Sequence, residues 1–205
     1  MTVAAVPGVA VATAIFPARS VAMATDPAGE ILWMEAGTAR SSPLGSAGMA
    51  LQGFSHVGVC CSDLERSTRF YVDVLGFREL FTVELGPEVA PTMEVDGRFR
   101  SRLLARDDLR LELLCWIHPP AQGDGERHPM DRLGMTHLCF RVDDVDTLGE
   151  LVAAAERAGG TVHPATRSVQ DGMGVGGGPV KTMYLTDPDG VRVEVMSGTP
   201  DLGAL

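Results

Sequence analysis

From about Leu51 to Ser197 the chain switches between two hydrophobic periods. Leu109, Leu111 and Leu113 alternate with Arg110 and Glu112, and Val191, Val193 and Val195 alternate with Arg192 and Glu194. A period of two is that of a strand with one apolar face. Leu64, Tyr71, Val74 and Leu75 instead fall on one side of a helix, the 3.6-residue pattern. Ser62-Asp63-Leu64-Glu65 reads as a capping box that starts this helix, and Gly76 as its stop. Strands are predicted over Phe54 to Cys60, Phe77 to Leu85, Arg98 to Ala105 and Leu109 to Trp116. Three Pro and three Gly between His118 and Gly134 mark a linker.

The pattern then starts again. Met135 to Val142 reads as a strand. Asp143 or Asp144 caps a helix with an apolar face of Leu148, Leu151, Val152 and Ala155, ended by Gly159-Gly160. Further strands are predicted over Thr161 to Thr166, Val180 to Thr186 and Val191 to Met196, the last two joined by an Asp187-Pro188-Asp189-Gly190 turn. Five Gly between Gly172 and Gly178 predict a mobile loop, a candidate lid or a plain surface loop. The order β-α-β-β-β therefore occurs twice. The expected division is an extension over 1–50, a first module over 51–117, a linker over 118–134, a second module over 135–198 and a tail over 199–205.

The repeat extends to individual residues. Phe54-Ser55-His56-Val57-Gly58-Val59 is echoed by Met135-Thr136-His137-Leu138-Cys139-Phe140, and Leu109 to Leu114 by Val191 to Met196. Each module thus carries one His and one Glu at nearly the same separation: His56 and Glu112, His137 and Glu194. Alternation places all four on the face away from the helices, where a sheet that curls would bring them together. A single His in an apolar strand is ordinarily a hydrogen-bonded core residue. Two His and two Glu on one concave face would be costly to bury without a cation or water, and they suit one divalent metal. Arg110 and Arg192 stand two residues before each Glu, either as rim charges or to keep the carboxylates ionised and hold an anionic substrate.

Composition narrows the function classes. The chain has 205 residues and a formal net charge of −10, which argues against nucleic acid as a partner. It has no apolar run long enough to span a membrane. Sixteen of its seventeen basic residues are Arg and one is Lys181, a codon bias rather than chemistry. Residues 1 to about 48 lack a sustained period and a basic n-region, so no signal peptide is expected. They read as a disordered extension, with a short helix around Gly29 to Ala36, or as sequence upstream of a start near Met49. Cys60, Cys61, Cys115 and Cys139 show no CxxC spacing and read as small buried hydrophobes of a reducing, cytoplasmic protein.

The motifs resemble the vicinal oxygen chelate superfamily of glyoxalases, bleomycin-resistance proteins and extradiol dioxygenases. The resembling residues are His56-Val57-Gly58-Val59, Ser62-Asp63-Leu64-Glu65 and Phe70 to Phe77, then His137 to Val142 and Asp187-Pro188-Asp189-Gly190 leading to Glu194. The resemblance implies an α+β fold: two tandem βαβββ modules forming a curled eight-stranded mixed sheet around a metal, with helices on the outer face. It implies His56, Glu112, His137 and Glu194 as ligands of one divalent ion (Zn, Ni, Co, Mn or Fe(II)). It admits a site within one chain or across a homodimer.

The resemblance to the glyoxalase I and methylmalonyl-CoA epimerase branch implies a lyase, isomerase or epimerase working on a small molecule through a metal-bound enediolate. Glu112 or Glu194 would move the proton. An Fe(II) extradiol dioxygenase is the alternative, using His56, His137 and Glu194 only. A small-molecule-binding resistance protein is the third, although such members generally lack the ligands. The full set of four favours isomerase-type chemistry.

Overall fold

The computed structural model describes residues 53–199 and, before them, the backbone of three strands. The chain divides into two compact units, Met1–Ser55 and His56–Leu205. In the first, β1 (Val11–Ile15), β2 (Ser20–Thr25) and β3 (Ile31–Ala36) form an antiparallel meander. The helix expected around Gly29 to Ala36 is replaced by a strand over Ile31–Ala36. Ile31 and Trp33 are residue types suited to extended backbone, and β2 supplies the ladder. Met49 and the tail after Thr199 lie outside the described residues.

The second unit repeats βαβββ. Its first module runs β4 (Val57–Cys60), α1 (Leu64–Arg69), a π-helical turn (Phe70–Val74), β5 (Arg78–Leu85), β6 (Arg98–Arg106) and β7 (Leu109–His118). The second runs β8 (Leu138–Arg141), α2 (Gly149–Arg157), β9 (Thr161–Gln170), β10 (Val180–Thr186) and β11 (Arg192–Ser197). The eight strands divide into two mixed sheets of four, ordered β4-β7-β6-β5 and β8-β11-β10-β9. The β4–β7 and β8–β11 pairs are parallel and the others antiparallel. The fold is α+β. Among the described residues, no helix is long and apolar enough to cross a membrane.

Several local expectations shift. The capping box does not form. Asp63 is the N-cap, its carboxylate accepting from the Arg66 N–H at 3.0 Å. Ser62 donates instead to Asp189, and Glu65 turns to Arg102. The charge-assisted bonds offered by Asp189 and Arg102 outcompete the local reciprocal pair. The glycine-rich loop is tethered, with Gly174 N–H donating to Gly178 O (2.7 Å) and Val175 N–H to Gly198 O (3.0 Å). Of the four cysteines only Cys61 is buried, while Cys60 and Cys139 are exposed, because each alternates onto the face opposite the core.

That core is shared. Val59, Leu104, Leu111 and Leu113 of the first sheet and Leu138, Met183, Leu185, Val193 and Val195 of the second enter one cluster with Leu64, Phe70, Tyr71 and Ala155. The modules are also locked by polar contacts. Asp189 accepts from Ser62, Arg66 and Ser67, and Asp187 accepts from the Tyr71 hydroxyl. Gly160 is required here, since a Cβ would lie 2.5 Å from the Phe70 ring and 2.6 Å from Thr186 O. Each sheet therefore gives its apolar face to the common core and keeps its Glu-bearing face on the other side.

Candidate metal centre

The two histidines sit immediately before the edge strands β4 and β8 and just outside the ladders, which begin at Val57 and Leu138. The strands predicted from Phe54 and Met135 are thus shorter than their alternation suggests. Each Glu lies on the neighbouring parallel strand, Glu112 beside Gly58 and Glu194 beside Cys139. His56 Nε2 stands 3.1 Å from Glu112 Oε2, and His137 Nε2 stands 3.0 Å from Glu194 Oε2. Two local pairs have the same geometry, as the repeat implies.

Other side chains orient these groups. Ser101 on β6 donates to Glu112 Oε1 at 2.5 Å, so one carboxylate oxygen is held while the other faces the imidazole. The Thr136 hydroxyl is 2.9 Å from His137 Nδ1. With an ion bound, Nδ1–H would donate to this hydroxyl and leave the Nε2 lone pair to the metal, the arrangement that metal-binding imidazoles use. Glu194 is flanked by Tyr184 on β10 and Cys139 on β8. Burial and the Glu194 carboxylate push the Tyr184 phenol up to about 12 and the Cys139 thiol up to about 11. The sequence reading missed Ser101, Thr136 and Tyr184. A hydroxyl residue before each His (Ser55 and Thr136) was a visible signal; Ser101 and Tyr184 needed the strand register.

The two arginines are hydrogen-bonded to backbone carbonyls. Arg110 donates to the Asp107 and Leu109 carbonyls. Arg192 donates to the His128 carbonyl of the linker, and its guanidinium lies 5.9 Å from the Tyr184 ring centre. Both brace the backbone beside the strands that carry the glutamates.

The donor chemistry fits a divalent ion. Two ligands bound at about 2.1 Å to one ion lie about 3 Å apart when their bonds meet near a right angle, the separation within each pair. Yet among the described residues of one chain, no three His, Cys, Asp or Glu side chains converge to hold an ion. The four predicted residues come together two by two. The shared core explains why, since it occupies the side of each sheet opposite its Glu.

Duplicated βαβββ modules, each with one His–Glu pair on the sheet face turned from the shared core, define a paired-module α+β protein. The comparisons agree with this class. The sequence model of the glyoxalase/bleomycin resistance protein/dioxygenase superfamily matches residues 53–195, and the chain belongs to that superfamily. It is 29% identical over 159 residues to a lactoylglutathione lyase of Pseudomonas putida, covering 72% of this chain and 86% of the relative. It is 30% identical over 141 residues to that of Haemophilus influenzae, covering 68% and 87%. A glyoxalase family protein from Bacillus cereus shares the fold, with a TM-score of 0.60 at 16% identity over 76% of this chain and all of that one.

Proposed function

We propose that this protein is a glyoxalase-like, metal-dependent lyase or isomerase whose site is assembled by two copies of the chain. The observation that carries the reading is the pair of matched His–Glu contacts, at 3.1 and 3.0 Å, on sheet faces turned from the shared core. His56 and Glu112 of one copy would meet the partner's His137 and Glu194 and hold one divalent ion, with the symmetric site formed by the exchange of roles. Among the described residues, strands β4 and β8 each end their sheet, and an edge strand presents backbone groups that such an approach can use. The similarity to two lactoylglutathione lyases supports the reaction class.

When bound, the ion supplies Lewis acidity toward a substrate carbonyl. The chain supplies the rest. The imidazoles orient the site, with Thr136 fixing the His137 ring. Glu112, its far oxygen on Ser101, and Glu194, beside Tyr184, are the groups able to take a proton from one substrate carbon and return it to the next. Glu112 contacts its histidine as closely as Glu194 does its own. This supports a four-residue site over the three-residue set of a ring-cleaving dioxygenase.

A mixing experiment tests the reading. Glu112→Gln and Glu194→Gln chains, each purified metal-weak, are combined and allowed to exchange subunits. A site built between copies regenerates one unmutated site per mixed dimer, so Mn(II) binding returns to about a quarter of all sites at random pairing. No recovery, in a mixture shown to have exchanged, rejects the shared site. Wild-type protein that binds no divalent ion rejects the metal centre itself.

A further inference from the structure

Strand register allows the Glu-bearing faces of the two modules to be compared position by position. Paired residues on neighbouring strands share a face. In the first module the row through the glutamate is Gly58, Glu112, Leu103 and Phe81. In the second it is Cys139, Glu194, Tyr184 and His163. The adjacent row pairs Val83, Ser101 and Leu114 in the first module, against Ser168, Thr182 and Met196 in the second. Ser168 and Thr182 hydroxyls are 2.9 Å apart, which places both on that face. A third row in the first module adds Leu85, Phe99 and Trp116, with the Phe99 and Trp116 rings 4.8 Å apart. Apart from Ser101 and His56, which touch Glu112 itself, the rows beside Glu112 are mostly apolar, whereas those beside Glu194 carry Tyr184, His163, Ser168 and Thr182 along with Cys139 and Met196.

Phe99 is fully buried, but the rest of this apolar face lies outside the shared cluster. Val83, Leu85, Leu103, Leu114 and Trp116 stand outside the shared cluster, on the other side of the sheet, and each is only partly buried. The same face carries His56, Glu112 and Ser101. A protein surface seated flush on it would bury that polar set along with the leucines, and burial of such groups needs partners. A small molecule whose polar end lies at the pair and whose apolar part lies over the leucines meets both demands.

Resting on the two-copy reading, we propose that the substrate is amphipathic. Its apolar arm, alkyl or aryl, lies against Leu103, Leu114 and Trp116 of one copy. Its oxygen-bearing end is turned to the partner's Tyr184 and Thr182. Leu103 and Tyr184 occupy equivalent positions beside the two glutamates, so they are the residues that set which end of the substrate goes to which module.

The test compares acetohydroxamate, hexanohydroxamate and phenylacetohydroxamate, oxygen chelators that differ in the tail, by calorimetry on full-length Mn(II)-loaded protein. Each buried methylene is worth about fourfold in affinity, so the longer tails should bind at least about tenfold more tightly. Leu103→Gln should cut that rise to about twofold or less. A flat series in the wild type overturns the proposal. Metal-free protein is titrated with 1-naphthol in parallel. Binding that Leu103→Gln weakens about tenfold supports the apolar arm without any metal. Absent naphthol binding, or binding indifferent to the substitution, overturns it. Naphthol binding without any hydroxamate binding would reject the metal centre and leave the apolar subsite standing. Should Leu103→Gln fail to fold, Trp116→Gln is read in the same way. A variant that folds but separates wild-type dimers into monomers assigns the face to a subunit contact and overturns the substrate reading.

Discussion

The Tyr71 hydroxyl donates to the Asp187 carboxylate at 3.0 Å, joining the helical layer of the first module to the β10–β11 turn of the second. Both groups are buried, and Asp187 also accepts from the Asp189 and Val191 N–H groups. Burial is the largest influence on this carboxyl and lifts it to about 6, against the opposing pull of those hydrogen bonds. The folded chain therefore holds a proton here more tightly than the unfolded chain. The resulting stability is present below about pH 4 and is lost as pH rises through about 6, with a magnitude of about 3 kcal/mol. In urea denaturation at pH 4, 5, 6 and 7, wild type should lose ground to Asp187→Asn as pH rises. A constant difference between the two would reject this account.

Gly160→Ala is expected to destabilise the protein by about 1–3 kcal/mol, because the added methyl meets the Phe70 ring and the Thr186 carbonyl. Gly149→Ala, which meets nothing within 4 Å, serves as the control. Thermal melts that place both variants level would show that the modules are not tightly packed at Phe70.

The sequence has two tyrosines, and both resist ionisation. Burial raises Tyr71 well above the ordinary phenol value, with Asp187 adding to the effect, while burial and Glu194 bring Tyr184 to about 12. Native protein should show little tyrosinate absorbance at pH 10, where a free phenol is about half ionised. Unfolding at that pH should raise the absorbance to that of two phenols about half ionised. A native titration centred at pH 10 would place Tyr184 away from its carboxylate neighbour.

Ser101→Ala and Thr136→Val remove the hydroxyls that orient Glu112 and His137. On the proposed reading each should weaken Mn(II) binding by about tenfold or more, with melting temperature little changed. Undiminished affinity in both would mean that these hydroxyls do not position metal ligands.

Thiol reactivity should follow strand face. Iodoacetamide is expected to label Cys60 and Cys139 in native protein, slowly at neutral pH and faster as pH rises, since both thiols are pushed up chiefly by burial. Cys61, 1% exposed in the core, should react only after unfolding. Peptide mapping before and after denaturation measures the order.

Much of the architecture was legible because alternation is a backbone property. The face of Glu112 follows from Leu111 and Leu113, and the face of Glu194 from Val193 and Val195. The repeat then matched each Glu to its own His. The way the modules pack was not legible. Periodicity says that Leu111 and Val193 must be buried, but not that they enter the same cluster, and that fact keeps the His–Glu pairs apart in one chain. Local competition was equally hidden. Ser62 left its capping role for Asp189, a residue 127 positions away. Ile31–Ala36 took a strand conformation because β2 offered it a ladder.

The shortness of β4 and β8, four residues each, has a further effect. A long bare margin of sheet invites endless stacking of identical chains into fibres. A margin of four residues offers too few backbone groups to hold a newcomer without matching side chains. Promiscuous growth is thereby discouraged, and only a surface that also complements the flanking imidazoles is rewarded for staying.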